Sequence, residues 1–249
     1  MVLRKLKAAF AAGVEVDTVL TETHVTPGGT VRGEVRLTGG REDHRVQHVT
    51  LDLQSDVDGA DPVDLVCHRA GEGFALPAGS PQRVEFAVPL PWETPVTGIG
   101  GQALEGVRIG VVTELALEHA FDKGDLDPLS VEPLPSQHAA LKAVDTLGFV
   151  FHRVRMSPGG LTGSELPLRQ QFEYWTAGGF REAFRLLRLG FVTGPAHLDV
   201  HLEVDKHEDG NSTGGAAIGH VRIGHEDTDV WDRLRTELQR LADRPGMFG

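Results

Sequence analysis

This sequence has almost no cysteine and no long apolar run. Cys67 is its single cysteine, so one chain can form neither an intramolecular disulfide nor a cage of thiolates around a metal ion. No stretch approaches the roughly 20 apolar residues that a membrane-spanning helix needs. The apolar residues near the start end at Gly13 and are soon followed by Glu15 and Asp17, which is too short a run for a secretory leader. These features predict a cytoplasmic protein.

Basic residues are scarce relative to acidic ones. The chain has 24 Lys and Arg against 36 Asp and Glu, a formal net charge of −12. Such a charge repels phosphate backbones and anionic lipid headgroups, so nucleic acid is excluded as an expected partner and membrane association is disfavoured. The 249 residues, 40% of them hydrophobic, suffice for one large domain or two of about 100 to 150 residues.

Alternation of apolar and polar residues is the dominant pattern that is present. It predicts half-buried strands around residues 31–37, 49–54 and 84–88 in the first half, and around 149–156, 168–174, 184–192 and 198–204 in the second. Turn motifs separate the strands, as at Thr26-Pro27-Gly28-Gly29 and Ser157-Pro158-Gly159-Gly160. Repeated short strands with such turns predict an all-β protein built of sandwiches or barrels.

A polar segment separates the two sets of strands. It runs from Asp122 to Pro128 and is followed by Pro133 and Pro135, a composition that disfavours continuous structure. We therefore expect a linker there and two domains, residues 1–127 and 128–249.

Two helices are predicted at the ends of the chain. Leu3, Leu6 and Phe10 have helical spacing and indicate one or two turns at the start. At the other end a clean apolar stripe, with Asp227 or Thr228 as the expected N-cap, predicts a helix that packs on the second domain; the stripe consists of Trp231, Leu234, Leu238 and Leu241.

Several segments resemble the bacterial sporulation-control protein family. They follow one another in the expected order over nearly the whole chain: Val16-Asp17-Thr18-Val19-Leu20, Pro27-Gly28-Gly29-Thr30-Val31-Arg32-Gly33-Glu34-Val35, Leu90-Pro91-Trp92-Glu93-Thr94-Pro95-Val96-Thr97, Asp125-Leu126-Asp127-Pro128-Leu129, Leu147-Gly148-Phe149, Phe172-Glu173-Tyr174 and Leu202-Glu203-Val204-Asp205. The resemblance implies two arrestin-like β-sandwich domains joined by a short linker. It also implies a non-enzymatic scaffold or regulator in the control of sporulation or cell development, with no known cofactor and no catalytic motif.

Patterns that suggest metal or cofactor chemistry are each explained better by ordinary structure. His197 and His201 have helical metal-ligand spacing, but on a strand they lie about 13 Å apart, too far to share one ion. His220 and His225 are expected in loops. The acidic group Asp56, Asp58 and Asp61 lacks the spacing of a calcium loop, and the glycine-rich segment 98–103 lacks the strand and helix of a dinucleotide site.

Candidate catalytic pairs are equally weak. Cys67 and His68 are adjacent and on an extended chain point to opposite faces, so we interpret Cys67 as a partly buried structural residue. Glu173 and Asp205 have no sequence feature that brings them together as acid and base. No catalytic residue is therefore predicted.

One arginine cluster is the candidate for binding a partner. Arg181, Arg185 and Arg188 are interleaved with large apolar residues in an acidic protein, and arginine suits the capture of carboxylates or phosphates. The alternative is a solvated strand face whose arginines pair with nearby acids. The three converge only if the strand bulges or begins after Arg181.

The function predicted from these patterns is protein–protein binding, through exposed strand edges or sandwich faces. Two alternatives stay open: an enzyme with a dispersed site on a β-sandwich scaffold, and a peripheral membrane adaptor that uses the basic N-terminus.

Overall fold

A computed structural model describes residues 8–9, 13–118, 120–207 and 215–243. The chain divides into two compact units. The first comprises Met1–Asp56, Asp61–Thr97 and Arg108–Val131; the second comprises Val57–Ala60, Gly98–Val107 and Glu132–Gly249.

Strands make up most of the described chain. In chain order they are β1 (Ala8–Ala9), β2 (Glu15–Leu20), β3 (His24–Val25), β4 (Thr30–Thr38), β5 (His44–Val57), β6 (Ala60–Leu76), β7 (Pro81–Pro89), β8 (Gly98–Ile99), β9 (Gln102–Ala103), β10 (Ile109–Leu117), β11 (Ala120–Pro128), β12 (Ser130–Val131), β13 (Phe149–Pro158), β14 (Leu168–Thr176), β15 (Phe184–Thr193), β16 (His197–Lys206) and β17 (Ala216–Gly224). Helices α1 (Pro135–Thr146) and α2 (Val230–Asp243) belong to the second unit.

The first unit is a β-sandwich. One sheet has the strand order β1-β2-β4-β7 and the other β11-β10-β5-β6. A hydrogen bond of 2.6 Å between the hydroxyls of Thr18 and Thr113 joins β2 of one sheet to β10 of the other. Apolar side chains from both sheets fill the core, among them Val31, Val35, Leu37, Val49, Leu51, Leu53, Val111 and Leu115. The predicted alternation on β4 is confirmed.

Strand β5 is more buried than its sequence predicts. Thr50 and Asp52, expected to face water, are both buried. The reason is position, because β5 lies between β10 and β6 inside its sheet, so that side chains of both neighbouring strands flank Thr50 and Asp52.

The predicted linker is a strand. Residues 122–128 lie within β11, which pairs with β10, for example Val111 with Asp127. A paired neighbour satisfies the backbone hydrogen bonds of a segment whose composition is poor for strands, and this tertiary pairing outweighs local propensity. A single domain boundary at residue 127 stays a prediction.

The second unit is built on one five-stranded antiparallel sheet with the order β13-β14-β15-β16-β17. Both helices contact this sheet. A Cβ placed on Gly219 of β17 would lie 2.9 Å from Leu241 of α2, so the side of the sheet that Gly219 shares with its neighbour Leu202 faces the helix. We call this side the helix face and the opposite side the outer face.

Helix α1 was not predicted from the sequence. Pro135 is its first residue, a position where the missing proline N–H costs no hydrogen bond. The side chain of Gln137 accepts a hydrogen bond of 2.9 Å from the Leu134 N–H. Ala140, Leu141 and Val144 are buried, so packing on the sheet stabilises this helix.

Helix α2 confirms the predicted C-terminal helix with one change in its stripe. Leu234, Leu238 and Leu241 are buried as predicted, but the fourth buried residue is Val230. Trp231 is only half-buried, and the guanidinium of Arg235 lies 5.2 Å from its ring centroid. The Asp229 carbonyl accepts the N–H of Arg233, which places the N-cap at Asp229 rather than at Asp227 or Thr228.

The predicted mostly β fold with a C-terminal helix is confirmed. The second unit differs in detail from a sandwich, since two helices cover one face of its five-stranded sheet. Leu3, Leu6 and Phe10, on which an N-terminal helix was predicted, lie outside the described residues. Ala8–Ala9, within the same stretch of sequence, form strand β1. No helix within the described ranges is long and apolar enough to cross a membrane.

Candidate functional site

The outer face of the second sheet carries a row of alternating charges. Strand register places Arg153 on β13 opposite Glu173 on β14, then Arg188 on β15 and Glu203 on β16. Ile218 of β17 ends the row. Opposite charges directly across neighbouring strands attract one another, so the row forms one connected network.

Arg188 is the centre of this network. Its Nε donates to Glu173 Oε1 at 3.2 Å, and its Nη1 donates to Glu203 Oε1 at 2.8 Å. Two parallel bonds of 3.1 Å join its Nη1 and Nη2 to the carboxylate of Asp205. Arg153 Nε completes the network by donating to Glu173 Oε2 at 2.6 Å. The arginine fork is well matched to such bidentate contacts.

The environment of the network sets its protonation. Burial raises the pKa of Glu173, but the hydrogen bonds and charges of Arg153 and Arg188 outweigh burial, so the pKa lies below its ordinary value. Burial lowers the pKa of Arg188, and its bonds to Asp205 and the charge of Glu203 raise it by more. Glu173 and Arg188 are therefore both charged at neutral pH.

The predicted arginine cluster is only partly brought together. The register shifts between Phe184 and Leu186, so β15 bulges at Arg185. As a result, Nη2 of Arg185 lies 3.9 Å from Oδ2 of Asp205. Arg188 binds the same carboxylate. Arg181 lies in the turn before the strand, where its carbonyl contacts the ring of His207. A partner-binding role for Arg181, Arg185 and Arg188 stays a prediction.

An apolar row lies beside the charged row. Val150 pairs with Trp175, and Trp175 pairs with Leu186. The exposed fractions are 54% for Val150 and 46% for Trp175. The ring of His152 lies 4.8 Å from the Trp175 ring. Exposed aromatic residues next to arginines are typical of protein interfaces, and sequence reasoning missed both Trp175 and Arg153.

A histidine group occupies the other end of the outer face. Asp199 accepts from Arg222 Nε at 2.8 Å and lies 3.0 Å from His220 Nε2. The bond to Arg222 lowers the pKa of Asp199, and burial lowers the pKa of His201. His220 lies on β17, so its expected place in a loop is wrong. Among the described residues, no three or more His, Cys, Asp or Glu residues are arranged to hold a metal ion.

The structure also shows the surroundings of the residues considered as catalytic pairs. Cys67 is exposed, which corrects the expectation of a partly buried residue. Its hydrogen bond to Asp52 raises the pKa of the thiol to about 11, so the reactive thiolate is rare at neutral pH. Glu173 and Asp205 both accept hydrogen bonds from Arg188, so the structure places them in one network as partners of an arginine.

The sequence contains a signal for some residues of the outer face but not for their partners on other strands. On β14 the alternation places Gln171, Glu173 and Trp175 on one side, which an analysis of period two could have found. The partners of Glu173 come from other strands and depend on register, which the sequence does not display.

Comparisons with known proteins agree with one another. A family model described as SpoOM protein matches residues 3–208. A curated protein named sporulation-control protein spo0M, from Bacillus subtilis strain 168, is 26% identical over 257 residues, covering 97% of this chain and 97% of that protein. The crystal structure of Spo0M, sporulation control protein, from Bacillus subtilis has a TM-score of 0.78 at 25% identity and covers 92% of this chain and 98% of that chain.

Proposed function

Because this chain belongs to the SpoOM protein family, we propose that it acts in the control of sporulation as a non-enzymatic protein that binds other proteins through the outer face of its second sheet. The name of the Bacillus subtilis relative, a sporulation-control protein, supports the cellular role. The exposed Trp175 beside a fixed array of charges supports the mode of action.

The physical basis of the proposed binding is the pairing of a rigid surface with an apolar anchor. Arg188 holds three carboxylates in one geometry, so little side-chain entropy is lost when a partner covers them. Trp175 offers a large apolar area that a partner can bury. Arg185, exposed at the bulge, is the member of the predicted arginine cluster best placed to contact a partner.

The proposed place of action is the cytoplasm. The exposed thiol of Cys67 suits a reducing compartment, where it does not form disulfides with other molecules.

A sporulation assay tests the proposal. A Bacillus subtilis strain that lacks its own Spo0M is supplied with this chain, and heat-resistant spores are counted. We expect the count to move toward that of the intact strain, and Trp175→Asp to abolish the change because it places a charge in the apolar row. Gln82→Asp puts the same side chain on an exposed position of β7 in the first unit and is the matched control.

Immunoblots verify equal amounts of each variant. A count that this chain does not change contradicts a role in sporulation control. Equal counts for Trp175→Asp and Gln82→Asp contradict binding through the outer face.

A further inference from the structure

Strand β13 presents an edge to which another strand can be added. It is the last strand of its sheet in the described part of the chain. At Met156 the edge is closed by Asp58, whose N–H donates to the Met156 carbonyl at 2.9 Å and whose carboxylate accepts the Met156 N–H at 3.2 Å. The backbone groups of Met156 therefore point away from β14, and antiparallel alternation turns those of Val154 to the same side.

The side chains along this edge are basic and apolar. Arg153 and Arg155 are exposed on the outer face, and β13 carries no carboxylate. Arg155 has a distant contact of 3.9 Å with Glu173, and Arg153 uses its Nε for that residue. Both guanidinium groups keep further N–H donors for a ligand. Val150 follows on the same face, since a bulge near His152 takes up the extra residue.

The charge of the outer face favours an acidic ligand. Six arginines project from its strands against four carboxylates: Arg153, Arg155, Arg169, Arg185, Arg188 and Arg222 against Glu173, Asp199, Glu203 and Asp205. The face has a net charge of 6 − 4 = +2 in a chain with a net charge of −12. A local positive surface on an acidic protein attracts an acidic segment.

We propose that β13 takes up an extended acidic segment of a partner protein as an additional strand over residues 150–155. The inference rests on the proposed function and specifies which kind of segment the partner supplies. Main-chain hydrogen bonds to the open edge supply affinity, and the side chains of the outer face select the sequence. Asp58 marks where the added strand ends.

The spacing of β13 defines the motif that it recognises. When the partner's strand runs antiparallel to β13, its residue opposite Arg155 comes first in its sequence. Its residue opposite Arg153 follows two positions later. Two positions further on comes the residue that lies beside Val150 and Trp175. The expected motif is acidic, any, acidic, any, large apolar. The antiparallel direction is chosen because such pairs outnumber parallel ones by roughly two to three to one.

Fluorescence anisotropy with synthetic peptides tests this inference on the full chain. The probe is Gly-Ser-Glu-Thr-Glu-Thr-Leu-Thr-Ser-Gly with an N-terminal fluorescein. One control peptide has Lys in place of both Glu residues, and another carries N-methyl groups on alternate amides, which leaves the side chains unchanged but removes the N–H donors of one edge.

We expect the Glu peptide to bind the wild-type chain, and the Lys and N-methylated peptides to bind at least about tenfold more weakly, since the Lys peptide loses charge-assisted bonds, the N-methylated peptide loses main-chain bonds, and each lost bond is worth roughly a factor of ten. Arg155→Gln should weaken binding about tenfold. Arg222→Gln, which removes the same charge from the opposite edge of the face, should change affinity less than twofold. Circular dichroism verifies that both variants fold.

Equal binding of the Glu and N-methylated peptides would overturn strand addition. Equal effects of Arg155→Gln and Arg222→Gln would overturn the selection at β13. If no peptide binds while Trp175→Asp still alters the spore count, this inference is wrong and the proposed function stands; if the spore count is also unaffected, both are wrong.

Discussion

Glu173→Gln is expected to lower the free energy of unfolding at pH 7 by about 3 kcal/mol, because two charge-assisted hydrogen bonds are replaced by weaker ones beside a partly buried Arg188. Glu173 is only 2% exposed, so water cannot compensate for the loss. Urea unfolding followed by tryptophan fluorescence measures the change. Glu203→Gln is the matched control, since Glu203 bonds the same arginine but is 36% exposed; there we expect less than about 1 kcal/mol.

The effect of Glu173→Gln should also depend on pH. The pKa of Glu173 in the folded chain lies below its ordinary value of 4.5, so its charge stabilises the fold fully above pH 4.5. That stabilisation is lost as the pH falls through the lower folded pKa. The difference between wild type and variant should therefore shrink when unfolding is repeated near pH 3. A difference that is the same at both pH values would show that shape, and not charge, is what the substitution removes.

Gly28→Ala is expected to destabilise the first unit by about 3 kcal/mol. Gly28 has φ +73°, where an alanine costs about 1 to 2 kcal/mol. A Cβ there would also lie 2.5–2.7 Å from the ring of Trp92, so the turn or the indole must move, at a cost of a further 1 to 3 kcal/mol or so. Thermal unfolding measures the loss as a lower midpoint.

Gly79→Ala is the control that separates the cost of backbone strain at positive φ from the cost of steric overlap with Trp92. Gly79 has φ +66° and lies in the same unit, but a Cβ there would meet no atom within 4 Å. We expect a loss of about 1 kcal/mol, from backbone strain alone. Equal losses for the two variants would mean that the packing of Trp92 on Gly28 contributes no stability.

The contact between Gly28 and Trp92 also shows what the family resemblance reflects. Gly28 and Trp92 come from two separate segments that carry the resemblance, and the Gly28 N–H donates to the Pro91 carbonyl at 3.2 Å. The two motifs are halves of one packed turn. A sequence displays such motifs one by one, and only the pairing of β4 with β7 brings them together.

Strands with one buried face were predictable because their burial repeats with the period of the pleat. On β16 the buried residues alternate without exception from Leu198 to Val204, as the apolar pattern indicates. Strand β11 and helix α1 were not predictable, because contacts with neighbouring elements rather than their own composition determine their structure. Aspartate-rich β11 gains its partner from β10, and α1 has too few large apolar residues for a visible stripe.

The outer face was the least predictable part. Glu173, Arg188 and Glu203 lie 15 residues apart in turn, and a change of register by one residue would place them on opposite faces. The bulge at Arg185 depends on pairing with β16. Sequence alone therefore identifies Arg185 and Arg188 as candidates, but not their acidic partners or the apolar row beside them.

Photo-cross-linking in cells tests most directly whether the outer face binds a partner protein. Benzoylphenylalanine is introduced in place of Trp175, and separately in place of Gln82 on β7 as the control, and the cells are irradiated while they enter sporulation. We predict a discrete cross-linked species for Trp175 and none for Gln82, with an acidic extended segment of the partner at the cross-linked site. Cross-links of equal yield at both positions, or at Gln82 alone, would contradict the central claim.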